Sequence, residues 1–220
     1  MNERKVIPLT LIQAKEVAHS LSEPSKMPGY GYSLPASACI TGMKLKDIKG
    51  SICSKCYACK GHYVYSNVRK ALQKRLEAIE HPDWVPAMVT LLQYKDSHYF
   101  RWHDSGDIQS VEHLGKIADI ALQLPHMQFW LPTKEANILR DYLKVRTIPE
   151  NLIIRLSSAM INQKPPSVKR WKGQVQTSSV HDKDKSFVGF ECQAYMRGNM
   201  CGPCRVCWDK NIDNISYRRH

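Results

Sequence analysis

The chain has 220 residues, 43% of them hydrophobic and 24% charged, and carries a formal net charge of +12. That length and balance suit one substantial globular domain and exclude a disordered or collagen-like chain. The excess of 32 basic over 20 acidic residues favours polyanions, a nucleotide or nucleic acid, as partners.

No run of about 18 apolar residues is present, so a membrane partner is not expected. The start "MNERKVIPLTLIQ" lacks the apolar stretch and cleavage site of a secretory leader, which points to a reducing cytoplasm. In that compartment cysteines at short spacing bind metal or do redox chemistry more often than they form disulfides. No exposed heptad or interface stripe speaks to oligomeric state.

The whole chain, 1–220, reads as a single domain. Residues 27–63 form a cysteine-rich loop region, because Pro28, Gly29, Gly31 and Pro35 interrupt any helix. Helical period follows: Val68, Leu72, Leu76 and Ile79 share one face in "NVRKALQKRLEAIE", and Trp84, Val85, Met88, Leu91 and Leu92 share one in the next segment. Pro82 and Asp83 mark the start of the second.

A βα core is expected over 98–180. "HYFRWHDSGD" gives a strand from Tyr99 to His103 that ends in a polar turn at Gly106. "SVEHLGKIADIALQLP" is a helix capped by Ser110 and stopped by Pro125. "MQFWLPT", "NLIIRLSS" and "GQVQTSSV" are further strands, with the helix "KEANILRDYLKV" between the first two. Strands alternating with helices predict right-handed βαβ units, hence an α/β fold with a parallel sheet.

In such a sheet the polar residues after each strand gather at its carboxyl edge, where ligands bind. His103, Asp104 and Asp107 after the first strand are the candidate acid–base or substrate-binding groups, and Lys134 after the second is a candidate anion-binding group. The competing reading is that such loops are polar anyway, with Asp107 or Ser110 merely capping a helix.

The strongest signal is in the cysteines. "CSKCYAC" places Cys53, Cys56 and Cys59 at two-residue intervals, and "CGPCRVC" repeats this at Cys201, Cys204 and Cys207 within a C-terminal cysteine-rich loop over 190–210. The C-x2-C-x2-C run resembles the first three ligands of a ferredoxin-type loop, so an iron–sulfur cluster, 4Fe–4S, is expected. Cys39 and Cys192, upstream of each triple, make a four-plus-four division available. Zinc is the alternative metal, since a four-cysteine zinc site fits the C-terminal group.

Taken in order, "CSKCYACKG", "RWHDSGD", "FWLPTKE", "PENLIIRLSS", "TSSV", "CGPCRVCWDK" and "YRRH" resemble the gene product 88 family encoded by bacteriophages. The resemblance implies an iron–sulfur protein on an incomplete parallel (β/α) barrel, distantly similar to radical S-adenosylmethionine enzymes, with S-adenosylmethionine as a cosubstrate. It makes Cys59 the least dependable position and implies a three-cysteine set of Cys39, Cys53 and Cys56. Neither triple has the C-x3-C-x2-C spacing of radical enzymes. Three readings follow: a redox or radical enzyme acting on a nucleotide or nucleic acid, a metal-stapled nucleic-acid-binding protein without catalysis, and an electron carrier or redox sensor.

Overall fold

The structure, a computed structural model, describes residues 9–171 and 173–219. The first eight residues of the leader reading and the closing His220 lie outside them. Seven strands form one all-parallel sheet: β1 (Tyr30–Tyr32), β2 (Tyr99–Trp102), β3 (Gln128–Thr133), β4 (Leu152–Ser157), β5 (Gln176–His181), β6 (Phe190–Cys192) and β7 (Asn214–Arg218). Among the described residues six α-helices accompany them: α1 (Leu11–Ala18), α2 (Ile40–Leu45), α3 (Ser66–Ala78), α4 (Trp84–Lys95), α5 (Val111–Gln123) and α6 (Ala136–Tyr142). Among the described residues no helix is long and apolar enough to cross a membrane.

The strand order is β1-β2-β3-β4-β5-β7-β6. Because β1 to β5 follow one another without reversal, right-handed crossovers carry the connecting helices to one face of the sheet. The core agrees: Phe100, Trp102, Phe129, Leu131, Leu152, Ile154 and Leu156 from the strands pack with Trp84, Met88, Leu91, Leu114, Ile117, Ala121 and Leu139 from the helices. Alternation along each strand sends Tyr99, Arg101, Trp130 and Arg155 to the opposite face, where the 3₁₀ turn Val206–Trp208 packs on them. The sheet is open, with β1 and β6 as its edges.

Within 98–180 stand β2 to β5, with α5 between β2 and β3 and α6 between β3 and β4. Ser110 caps α5 by accepting from the His113 amide at 3.0 Å. The region 27–63 departs from the loop reading, because β1 and α2 lie within it. β1 is three residues long and contains Gly31, so it has no periodicity of its own; its pairing with β2, Tyr30 to Phe100 and Tyr32 to Trp102, makes it a strand. Tyr32 then anchors it in the core, donating to the Ala18 carbonyl at 2.8 Å and accepting from Trp84 Nε1 at 3.2 Å.

Candidate functional site

The first cysteine set lies at the carboxyl edge of the strands. Cys39 precedes α2, and Cys53, Cys56 and Cys59 follow one another through two 3₁₀ turns in which the Cys56 amide bonds the Cys53 carbonyl and the Cys59 amide the Cys56 carbonyl, each at 3.2 Å. A 3₁₀ turn advances three residues, so the two-residue spacer matches the repeat of the backbone. Gly42, one turn into α2, leaves the space between the sulfurs: a Cβ there would stand 3.6 Å from both Cys39 Sγ and Cys53 Sγ, and 2.9 Å from Cys39 Cβ. Cys59 is exposed at the rim, while the other three are half-buried.

Polar anchors fix this loop to the sheet. The Ile52 amide bonds the Ala159 carbonyl at 2.9 Å, the Ile161 amide bonds the Gly50 carbonyl at 3.0 Å, and buried Ser51 donates to Leu45. Glu135, buried after β3, accepts from both the amide and the hydroxyl of Thr41 at 2.7 Å, holding the start of α2. Asp107 accepts from the Thr133 hydroxyl at 2.6 Å and from the amides of Ile108 and Lys134 at 2.8 and 2.9 Å. Lys134 Nζ donates to the Ser158 carbonyl at 2.8 Å and lies beside Cys53, Asp107 and Cys39.

Burial governs the electrostatics of this edge. It lifts the Asp107 carboxyl to about 6 against the pull of its three donors, and it lowers the Lys134 ammonium. The thiols of Cys39, Cys53 and Cys56 are all pushed up by desolvation, with Lys134 opposing the shift at Cys53. These are not the lowered thiols of a redox nucleophile, which needs its thiolate at neutral pH; a bound metal would ionise them on binding.

The three residues after β2 diverge. His103 adopts a left-handed backbone, φ 54°, and its ring turns into the core, with Nδ1 3.1 Å from the Tyr32 carbonyl and the ring centroid 5.4 Å from that of His113. Desolvation lowers its pKa to about 3, so it is neutral there. Asp104 faces the cysteine loop, accepting from Tyr63 Oη at 2.8 Å, while its carbonyl accepts from Tyr57. Only Asp107 joins Lys134 at the cysteines. Gly106 makes the turn, at φ +82°, and a Cβ there would meet Leu34 Cβ at 2.5 Å.

The second set is built on the other face. Cys192 ends β6 opposite Tyr217 of β7, whose hydroxyl lies 3.3 Å from Cys207 Sγ. The Cys204 amide bonds the Cys201 carbonyl at 3.2 Å, repeating the turn of the first triple, and the Cys201 amide reaches the Lys26 carbonyl at 2.9 Å. Arg155, fully buried, donates to the carbonyls of Val206, Cys207, Asp209 and Ile212. Trp208 bonds the Phe100 carbonyl at 2.9 Å and packs edge-on against Tyr99 and Trp130. Burial pushes the Cys207 thiol up to about 12.

Cys39 neighbours Cys53 and Cys56, and Cys201 neighbours Cys192 and Cys204, while the buried Arg101 guanidinium lies near Tyr57 and Asp104 on the first side and near Cys201, Cys207 and Tyr217 on the second. Among the described residues no three His, Cys, Asp or Glu side chains stand as a ready-made site for a metal ion. Glu135, with Thr133 and Lys134, belongs to the polar group that the sequence places after the second strand; Gly42, Arg155 and Tyr217 escape that reading, and Arg155, a cation inside the apolar strand "NLIIRLSS", is the one visible signal among them.

No curated protein and no solved structure matches the chain. The Gene product 88 family matches residues 2–210, and the chain belongs to that family.

Proposed function

We propose that the protein is a metal–thiolate enzyme with two centres: an iron–sulfur centre of the 4Fe–4S type held by Cys39, Cys53 and Cys56, and a second centre held by Cys192, Cys201, Cys204 and Cys207. The observation that carries this reading is the gathering of eight cysteines, from distant parts of the chain, into two groups at different places on one sheet. The donor chemistry fits, since thiolates are what iron–sulfur clusters and zinc both take. The space kept open by Gly42 between Cys39 and Cys53 also supports a bound group there. Thiolates that hold a cluster are spread around a cube rather than drawn onto one ion, which suits three sulfurs that do not already converge.

With three thiolates, such a cluster offers one iron for Lewis-acid or one-electron chemistry, the position at which a cosubstrate such as S-adenosylmethionine would bind. The chain's own groups supply the rest. Lys134 provides a cation beside the cysteines for an anionic substrate group. Asp107, lifted to about 6 by burial, titrates near neutrality and is suited to exchange a proton at this edge. Glu135 positions Cys39 through Thr41.

For the second centre a structural zinc is the alternative. It is favoured by Arg155, which ties the Cys207 segment to the sheet through four carbonyls of that segment, an arrangement suited to a closed, load-free site rather than an open one. Iron and acid-labile sulfide analysis of protein purified without oxygen tests the whole reading. Equal iron and sulfide with a broad visible absorption band is expected; zinc alone, without sulfide, would remove the cluster from both sets.

A further inference from the structure

Between Asp47 and Glu77 the chain has no carboxylate side chain, yet it has seven lysines and arginines. One of these, Arg75, is buried and used internally, donating to the Ser20 carbonyl at 2.8 Å. Lys55, Lys60, Arg69, Lys70 and Lys74 are all exposed. They lie on a continuous path: the 3₁₀ turns of the first cysteine loop run into α3, where Lys70 and Lys74 fall one turn apart on the face opposite buried Leu72 and Arg75.

Some surface cations elsewhere carry their own counter-charges, as in Lys116 with Glu112, Arg146 with Asp119, Lys210 with Glu150 and Arg219 with Asp182. Among the described residues none of the five on this path forms an ion pair. Glu77, on the same face in the last turn of α3, accepts from Gln73 at 2.9 Å and ends the path; before it the cations stand without a carboxylate in the intervening sequence, an arrangement complementary to a polyanion.

Aromatic rings stand on the same path. Tyr65, immediately before α3, is 54% exposed, with His62 edge-on to it at 5.2 Å, and Tyr57 is 52% exposed although its hydroxyl is tied to the Asp104 carbonyl. Exposed rings among unpaired cations are what an unpaired base needs for stacking, and duplex DNA has no free base face to offer them. Tyr57 also lies between Cys56 and Cys59, so a strand following this path would end at the first cysteine set.

We infer that the face formed by the first cysteine loop and α3 binds single-stranded nucleic acid, with the lysines and Arg69 on its phosphates and Tyr65 and Tyr57 under its bases. This deepens the proposed function by naming the substrate class of the first centre. Binding itself needs only the surface, not the reaction.

The test is fluorescence anisotropy of the full, metal-loaded chain with labelled oligothymidylate, oligouridylate and a duplex of equal length, titrated at increasing salt. Single strands should bind more tightly than duplex, and affinity should fall with salt at a log–log slope of about −0.7 per phosphate contact. Lys70→Glu with Lys74→Glu should weaken binding on the order of ten-fold or more and flatten that slope, and Tyr65→Ala should weaken it about five-fold or more. Lys164→Glu with Lys185→Glu, a pair elsewhere on the surface, should change it little. A preference between the two single strands agrees with the inference.

Absent binding at low salt, equal loss in both charge-reversal pairs, or duplex bound as tightly as single strands with no effect of Tyr65→Ala would each overturn it. So would tighter binding to phosphatidylserine vesicles than to any oligonucleotide. Metal content measured on the same Lys70→Glu/Lys74→Glu protein separates the two proposals: full metal with lost binding supports the docking surface, and absent metal in the wild type counts against the centre alone.

Discussion

The two cysteine sets share one spacing and the same local turn, yet the fold puts them in opposite surroundings. The first sits at the carboxyl edge of the sheet, beside a lysine, a carboxyl that titrates near neutrality and an exposed basic path. The second is closed in by Arg155, Trp208 and Tyr217 on the face the helices leave free. The same C-x2-C-x2-C element can therefore serve a reactive edge or a structural seal, and the neighbours decide which.

The largest expected effect falls on the second region. Arg155→Met would leave the carbonyls of Val206, Cys207, Asp209 and Ile212 without their donor, and should destabilise the fold by about 3–5 kcal/mol, read from urea unfolding. A loss below about 1 kcal/mol would mean that the second set is not held by this network.

Gly42→Val sharpens the contrast from the other side. Its side chain would enter the space between Cys39 and Cys53, costing about 1–3 kcal/mol of overpacking, and metal bound at the first set should be lost while that at the second remains. Element analysis of the purified variant reads this directly.

Behind the first set, two groups that follow β2 respond to pH in opposite directions. Unfolded, the His103 ring protonates near its ordinary 6.5, and folded only near about 3. Between those values the unfolded chain holds more protons, so this contribution to stability is complete above about 6.5 and is lost as pH falls, by at most about 1.4 kcal/mol per pH unit. Asp107 works in the opposite direction: its folded value of about 6 lies above the unfolded 3.8, so the folded state gains stability as pH falls from 6 to 3.8. Unfolding midpoints across pH 4 to 6.5 should thus fall less steeply in His103→Asn, where the new residue tolerates the left-handed backbone, and more steeply in Asp107→Asn.

The smallest effect is assigned to Cys59. It is exposed at the rim of the first set, and Cys59→Ser should leave metal content unchanged and stability within about 0.5 kcal/mol. Loss of metal in this variant would make it a fourth ligand and close the first centre.

Much of the scaffold was legible because α3 to α6 carry apolar residues at helical period and β2 to β4 carry them in short runs, while β5, "QTSSVH", has only Val180 to mark it. β1 was not, since three residues around Gly31 become a strand only by pairing with β2. The placing of β7 between β5 and β6 depends on contacts across the chain, which no local pattern records. At the site, Asp107 and Lys134 follow from the rule that polar residues after parallel strands meet at one edge. His103 obeys the same rule in position, but a single positive φ turns its ring into the core, and residue type gives no sign of that. Gly42 matters only for the Cβ it lacks.

The central claim is that the eight cysteines make two independent centres. Metal and sulfide content of oxygen-free Cys53→Ala and Cys204→Ala proteins, each compared with the wild type, tests it most directly. Each variant is expected to lose its own share and keep the other, with Cys53→Ala removing the cluster at the carboxyl edge and Cys204→Ala removing the metal behind the sheet. Loss of all metal in either folded variant, or no loss in both, would contradict it.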